Sequence, residues 1–261
     1  MYRLIATDVD GTLLDNDSRI TEYNRKALLE CKKKGIGVIV ATGKSIDSIL
    51  YLIKDLGLKL PQITLNGSVI VGPGSEIINS SKIDPGYYLG VIKIIKNSGY
   101  PPVVALDNGK LYLESHHPDL KHLGYIGEKF IKVDSIETEC FVRNTVDIYV
   151  PIEQSDPLDK ALREKYSGKL QIIRSGRYFF DILNRKATKG NALLSVIGPM
   201  GIKREEVAVF GDSPNDLSMF AVAGLKVAVK NSYPEILKKA DIVTDENYNS
   251  GLGKAIFKHI L

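Results

Sequence analysis

The chain has 261 residues, 44% of them hydrophobic and 25% charged, with a formal net charge of +4. That length suits one large domain or two modest ones, no run is apolar for the ~20 residues a membrane helix needs, and the weak positive balance argues against a nucleic-acid groove. Cys31 and Cys140 lie far apart and outside any metal-ligand spacing, so no disulfide framework is expected. A cytoplasmic setting is the simplest, the more so because the N-terminus runs into a strand with no leader pattern.

Leu4 to Thr7 form the first predicted strand, an apolar one, and Asp8-Val9-Asp10-Gly11-Thr12 follow it. On extended backbone, residues two apart project to one side, so Asp8 and Asp10 are expected together. Buried carboxylates need a partner or a metal, and two close ones raise each other's pKa. One can then serve as nucleophile or metal ligand while the other carries a proton. The plain alternative is an Asp-rich turn that caps the next helix.

A helix is predicted over 18–35, with Ser18 or Thr21 as its cap and the Lys32-Lys33-Lys34 run then Gly35 at its end. A strand over 36–41 stops at Thr42-Gly43-Lys44, Ser45 is a candidate cap for a helix to about Leu56, and a third strand over 62–65 stops at Asn66-Gly67. This rhythm argues for an α/β fold with a parallel sheet, in which ligands collect beyond the C-terminal ends of the strands. Asp8, Asp10, Thr42 and Asn66 fall at such ends. The pattern then changes to hairpins, about Pro73-Gly74-Ser75, Asp107-Asn108-Gly109 and Ser175-Gly176, mixed with helices over 85–97, 118–127 and 157–166 and a strand over 146–150. The first rhythm returns with a helix from Thr188, a strand over 206–210, a helix over 215–223, a strand over 226–229, a helix over 233–239, a strand over 241–244 and a helix over 253–260. An α/β domain built from both chain ends, with an α+β domain inserted in it, follows.

Four signals fall at strand ends or helix starts: DVDGT at 8–12, ATGK at 41–44, TKG at 188–190 and GDSPND at 211–216. In this order and placement the chain resembles the haloacid dehalogenase superfamily of phosphatases, and more closely its Cof-type branch with a C2 (type IIB) cap between the second and third motifs. The resemblance covers essentially the whole chain. It implies a Rossmann-like core over 1–81 and 188–261, with an inserted α+β cap over 82–187.

The resemblance also implies roles. Asp8 takes the place of the nucleophile that forms an aspartyl-phosphate, and Asp10 that of the general acid and then base. Thr42, Gly43 and Lys44 fall in the phosphate loop, Lys189 faces nucleophile and phosphate, Asn66 contacts phosphate or substrate, and Asn215 holds the phosphate-side loop. Asp8, Asp10, Asp212 and Asp216 would hold Mg²⁺. Lys44 stands where the branch usually has Arg, which keeps a cation but loses the planar fork. The implied activity is hydrolysis of a small phosphorylated metabolite, sugar phosphates first, by a monomer or dimer with no nucleic-acid or membrane partner. A phosphomutase using the same Asp8 chemistry and a non-catalytic phosphate sensor are the rival readings.

The remaining polar residues read as structural. Asp241 and Asp245 are expected to bound the last strand, and Asn247, Asn249 and Ser250 to make at most a minor contact near the active face. His116, His117 and His122 match no zinc spacing. Arg143, Arg174, Arg177 and Arg185 are cap cations, most of them facing solvent, and Tyr178, Phe179 and Phe180 belong to the cap core.

Overall fold

In the computed structural model, which describes residues 1–115, 128–151, 157–174 and 179–261, the two ends of the chain share one sheet. Strands β1 (Leu4–Thr7), β2 (Gly37–Val40), β12 (Val207–Gly211), β13 (Leu225–Val229) and β14 (Ile242–Thr244) lie in the order β14-β13-β12-β1-β2, all parallel. Leu4 sits in register with Gly37 on one side and Val207 on the other.

The strands are apolar because both faces are covered. Ile5, Val38, Val40 and Phe210 pack on Ala27 and Leu28 of the helix Glu22–Lys33 and on Leu252 and Ile256 of the helix Gly251–His259. The alternate residues Leu4, Ala6, Ile39 and Val209 pack on Leu193 and Val196 of the helix Lys189–Ile197. Each Val, Leu, Ile or Phe among them contributes about 1.5–3 kcal/mol on full burial.

The first helix begins later than predicted. Ser18 lies in a left-handed turn (φ 58°), and the Thr21 hydroxyl accepts the Asn24 amide to start the helix. The strand expected as a third member of the parallel sheet does not join it in full. β3 (Gln62–Thr64) touches β2 only through the bridge Ala41↔Ile63. It pairs antiparallel with β4 (Val69–Val71), which pairs with β5 (Ile77–Ser80). Three successive positive φ angles, 49°, 54° and 95° at Leu65, Asn66 and Gly67, turn the chain back on itself there.

The cap is a sheet of six strands, β10 (Leu170–Arg174), β11 (Phe179–Asn184), β9 (Thr145–Pro151), β6 (Val103–Leu106), β7 (Leu111–Leu113) and β8 (Phe130–Lys132), in that spatial order. Its outer face carries Val104, Ile148, Val150, Phe180 and Ile182 against the helices Pro85–Asn97 and Pro157–Tyr166. Its inner face carries Val103, Ala105 and Tyr149, which join the same cluster as Val40, Ile46 and Leu65 of the core. The cap therefore rests directly on the strand ends. β8 and the short helix Glu139–Asn144 were not predicted. The predicted 118–127 helix, the Ser175-Gly176 turn and His116, His117 and His122 fall outside the described residues. No helix among the described residues is long and apolar enough to cross a membrane.

Candidate active site

The strand β1 delivers Asp8 to the sheet's C-terminal edge, where its amide still bonds the Phe210 carbonyl of β12 at 3.0 Å. Val9–Leu13 then wind into one wide turn, closed by the Leu14 amide on the Val9 carbonyl at 2.9 Å. Gly11 permits it: its φ is +76°, and a Cβ there would lie 2.7 Å from Asp212 Oδ2. The two acids of the first motif meet different ammonium groups. Asp8 is buried and faces Lys189, with Oδ1 2.6 Å from Nζ. Asp10 is partly exposed and its carboxylate meets Lys44 Nζ at 2.8 Å. Both acids keep extended backbone angles (Asp8 φ −65°, ψ 162°; Asp10 φ −80°, ψ 131°), and the Asp10 charge still acts on Asp8, although the two pair with different lysines.

The Lys189 ammonium, fully enclosed, also lies 2.7 Å from Asp216 Oδ1. Thr188 caps its helix by accepting the Asn191 amide at 3.0 Å, so Lys189 opens the helix at the end where the dipole disfavours a cation. The two carboxylates overcome that: burial alone would lower the Lys189 pKa, but Asp216 and Asp8 together raise it. Asp216 Oδ2 accepts the Asp212 and Ser213 amides, each at 3.0 Å, and thereby shapes the turn after β12. Asp212 in turn accepts Thr12 Oγ1 at 2.8 Å and Ser213 Oγ at 2.9 Å.

Carboxylate oxygens of Asp8, Asp212 and Asp216 lie within 4.8 Å of one another. Three carboxylates against one ammonium leave a net charge of −2 when all are ionised (−3 + 1). Burial raises all three acids: Asp216 to about 6, with the Asp8 charge adding to the rise; Asp212 well above the ordinary carboxylate range, with the charges of Asp8 and Asp216 adding; and Asp8 upward against the opposing pull of Lys189, with the Asp10 charge adding. A hard divalent cation fits this donor set, since it takes oxygen ligands and relieves the repulsion between their charges. Of the four acids expected as metal ligands, the structure brings Asp8, Asp212 and Asp216 together. It places the Asp10 carboxylate with Lys44 instead.

The phosphate-side loops meet beside this cluster. Thr42 Oγ1 accepts the Lys44 amide at 3.1 Å, and the Asn66 amide bonds the Thr42 carbonyl at 3.0 Å. Asn66 Oδ1 accepts Asn215 Nδ2 at 2.9 Å. Gly67 has no room for a side chain, because a Cβ would lie 2.3 Å from the Thr188 carbonyl. The Asn66 turn therefore seats directly on the residue that precedes Lys189.

Of four cap residues that sequence reasoning missed or left unused, three bond to this edge and the fourth shares a strand face with one of them. Asp181 Oδ1 accepts Asn66 Nδ2 at 3.1 Å, and the Tyr149 hydroxyl donates to the Gly43 carbonyl at 2.9 Å. Glu128 accepts the Ser45 amide at 2.8 Å and its hydroxyl at 2.5 Å. Ser45 thus does not cap its helix with its own side chain; a cap carboxylate occupies that end, where the dipole favours it. Asp147 is the fourth, on the strand face it shares with Tyr149. A signal existed in the alternation of Thr145, Asp147 and Tyr149 with Val146, Ile148 and Val150.

The residues expected to be structural are so placed. Asp241 bonds the Lys226 amide and Asp245 pairs with Lys254. Asn247 Nδ2 donates to the Leu14 carbonyl at 2.8 Å, which ties its loop to the first motif. Arg143 pairs with Glu139 at 2.8 Å, and Arg174 lies over the Phe180 ring, 5.3 Å from its centroid. Arg177 and Tyr178 fall outside the described residues.

A sequence profile of the family described as haloacid dehalogenase-like hydrolase matches residues 5–256. The putative phosphatase YxeH of Bacillus subtilis is 30% identical over 276 residues, covering 100% of this chain and 99% of its own. The 5-amino-6-(5-phospho-D-ribitylamino)uracil phosphatase YwtE of the same organism is 28% identical, covering 96% and 95%. A solved haloacid dehalogenase-like hydrolase from B. subtilis superposes with a TM-score of 0.88 at 26% identity, over 99% of this chain and 100% of that one.

Proposed function

The chain belongs to the haloacid dehalogenase-like hydrolase family and is a phosphatase of that family, and we propose that it hydrolyses small phosphorylated metabolites, sugar phosphates first among them, through an aspartyl-phosphate on Asp8 with Mg²⁺ as cofactor. The observation that carries this reading is the buried convergence of Asp8, Asp212 and Asp216 on one point beside Lys189. Mg²⁺ held by those three carboxylates would offset the repulsion between an anionic nucleophile and a dianionic ester.

The chain's own groups carry the rest. Lys189 holds Asp8 Oδ1 and so orients the carboxylate toward the phosphorus. Asp8 attacks, the bond to the leaving oxygen breaks, and Asp10 gives that oxygen its proton. Asp10 then takes a proton from the water that displaces Asp8 from phosphorus, and inorganic phosphate leaves. Thr42, Gly43, Lys44 and Asn66 would hold the phosphoryl oxygens, with Asn215 fixing Asn66. Residues 82–187 act as the cap that excludes bulk water. The relative that acts on a phosphorylated ribitylamino-uracil supports a polyhydroxylated leaving group as one substrate class.

The test is phosphate release over a panel of phosphorylated metabolites, with and without Mg²⁺, using Asp8→Asn as control. Release that needs Mg²⁺, stops in chelator and is lost in Asp8→Asn supports the reading. Full activity in exhaustive chelator, or a phosphoryl group trapped by mass spectrometry on a residue other than Asp8, refutes it. Transfer to a second hydroxyl without release would make the protein a mutase.

A further inference from the structure

On the face of the cap sheet that meets the phosphate-side loops lies a carboxylate for which none of the roles above has a use. Asp147 is fully buried, and neither of its oxygens has a hydrogen-bond partner. Buried polar groups are nearly always satisfied, and a buried carboxylate without a donor is costly. The position is not adrift in the cap core. Asp147 lies two residues from Tyr149 along β9 and so on the same face. Tyr149 reaches the Gly43 carbonyl, and its register partner Asp181 reaches Asn66. The Tyr149 hydroxyl is pushed well up by burial and then by the nearby charges of Asp147, Asp181 and Glu128. These acids therefore surround one phenol directly over the loops that would hold a phosphate. The opposite end of the same contact chain carries a second orphan, Asn215 Oδ1, also buried without a partner. Both orphans are acceptors, and what each lacks is a donor.

Resting on the phosphatase reading above, we propose that Asp147 is a specificity-determining residue: its carboxylate, beside Asp181, receives a hydroxyl of a neutral, polyhydroxylated leaving group. A substrate reaches it when the Tyr149–Gly43 and Asp181–Asn66 contacts part, which opens the cap over the loops. Closure then removes the leaving group from water together with the acid that binds it. A hydroxyl suits the pair better than a cation does. Burial and the adjacent Asp181 charge raise the Asp147 pKa well above the usual carboxylate range. The pair thus keeps a proton, and it both accepts and donates, as a hydroxyl does. The pair is also no metal site by its geometry, because the only cluster of three or more metal-ligating side chains among the described residues is Asp8, Asp212 and Asp216.

The experiment compares kcat/KM for sorbitol 6-phosphate, choline phosphate and p-nitrophenyl phosphate in the wild-type protein, Asp147→Ala and Asp147→Asn. The aryl ester, which has no hydroxyl to present, is the internal reference. The sorbitol-to-aryl ratio is expected to fall about 10- to 100-fold in Asp147→Ala, the size of a lost hydrogen bond to a charged group. It should recover in part in Asp147→Asn, whose amide still accepts. The melting temperature should not fall in Asp147→Asn, since a buried carboxyl without a hydrogen-bond partner is replaced by a neutral amide of the same shape. An unchanged ratio, a wild-type ratio below one, or a loss of melting temperature with equal loss on all substrates overturns the assignment. A larger dependence on Asp147 for choline phosphate would assign a cation instead and overturn it too. Absence of phosphate release from every substrate by the wild-type protein would strike the phosphatase reading itself, which the ratio does not test.

Discussion

Lys189→Met removes the single ammonium from among three buried carboxylates, and the structure sets both the size and the pH dependence of the result. Nζ lies 2.6 Å from Asp8 and 2.7 Å from Asp216, and only Asp8 keeps a small exposed edge. Breaking a buried pair by deleting one partner costs about 3–5 kcal/mol. Asp216 rises from its ordinary 3.8 to about 6 even with Lys189 beside it. A carboxyl with a higher pKa folded than unfolded binds its proton more tightly in the native state. The stability it costs is therefore absent below about pH 4 and is fully lost once pH exceeds the folded value. Without Lys189 the folded values of Asp8 and Asp216 climb further. In chelator, Lys189→Met is expected to lose about 3–5 kcal/mol at pH 8, a fall in melting temperature of about 6–20 °C for a chain this size. At pH 5, below the folded value of Asp216, part of that loss should disappear. Urea unfolding at the two pH values measures it. A loss below about 1 kcal/mol at pH 8, or the same loss at both pH values, would refute the argument that Lys189 neutralises a buried acidic cluster.

Three further outcomes are expected. Asp10→Asn should slow turnover of alkyl phosphates by about 10²–10⁴-fold and of an activated aryl phosphate far less, because only the alkoxide needs a proton to leave; equal losses in burst and steady-state kinetics would remove the acid role. Lys44→Arg should keep turnover within a few-fold, whereas Lys44→Met should raise KM as phosphate attraction is lost and also lower kcat, because the ammonium holds the Asp10 carboxylate at 2.8 Å; an unchanged kcat in Lys44→Met would show that this contact does not position Asp10. Gly67→Ala should cost about 1–3 kcal/mol in strain and displace Thr188, since its Cβ would lie 2.3 Å from that carbonyl and its φ is +95°; wild-type melting and activity in this variant would contradict the close seating of the Asn66 turn.

Much of the core was legible because its signals are local. An apolar strand ending in acids, a TKG at a helix start and a GDSPND after a strand each announce where a side chain emerges, and Asp8, Lys189, Asp212 and Asp216 do meet. What local reading missed was direction. The spacing of Asp8 and Asp10 suggested one shared role, but their carboxylates meet different ammonium groups, Asp8 that of Lys189 and Asp10 that of Lys44. Ser45 had the composition of a helix cap, yet its hydroxyl donates to Glu128, 83 residues away in the chain. The strand at 62–65 had the right pattern for the parallel sheet, and two non-glycine residues in left-handed conformation, Leu65 and Asn66, redirected it. Asp147, Asp181 and Glu128 were out of reach for the same reason. The partners of Asp181 and Glu128, Asn66 and Ser45, lie in another domain, and the alternating polar strand that carries Asp147 does not say which face will be covered.

The sheet that carries Asp8 is closed by strands from opposite ends of the chain, Leu4 resting against Val207. On a ribosome adding about 5–20 residues per second, β1 emerges some 10–40 seconds before the strand it must pair with. During that interval β1 and β2 have an unpaired parallel edge, while the cap between them and β12 has all the strands of its own sheet. The order of assembly is thus written into the insertion: the cap matures first, and the nucleophile is installed when β12 docks. Contacts spanning 200 residues make that last step slow. A nascent chain stalled before β12 would therefore hold a folded cap and an apolar, sticky N-terminal strand pair, the species most in need of a chaperone.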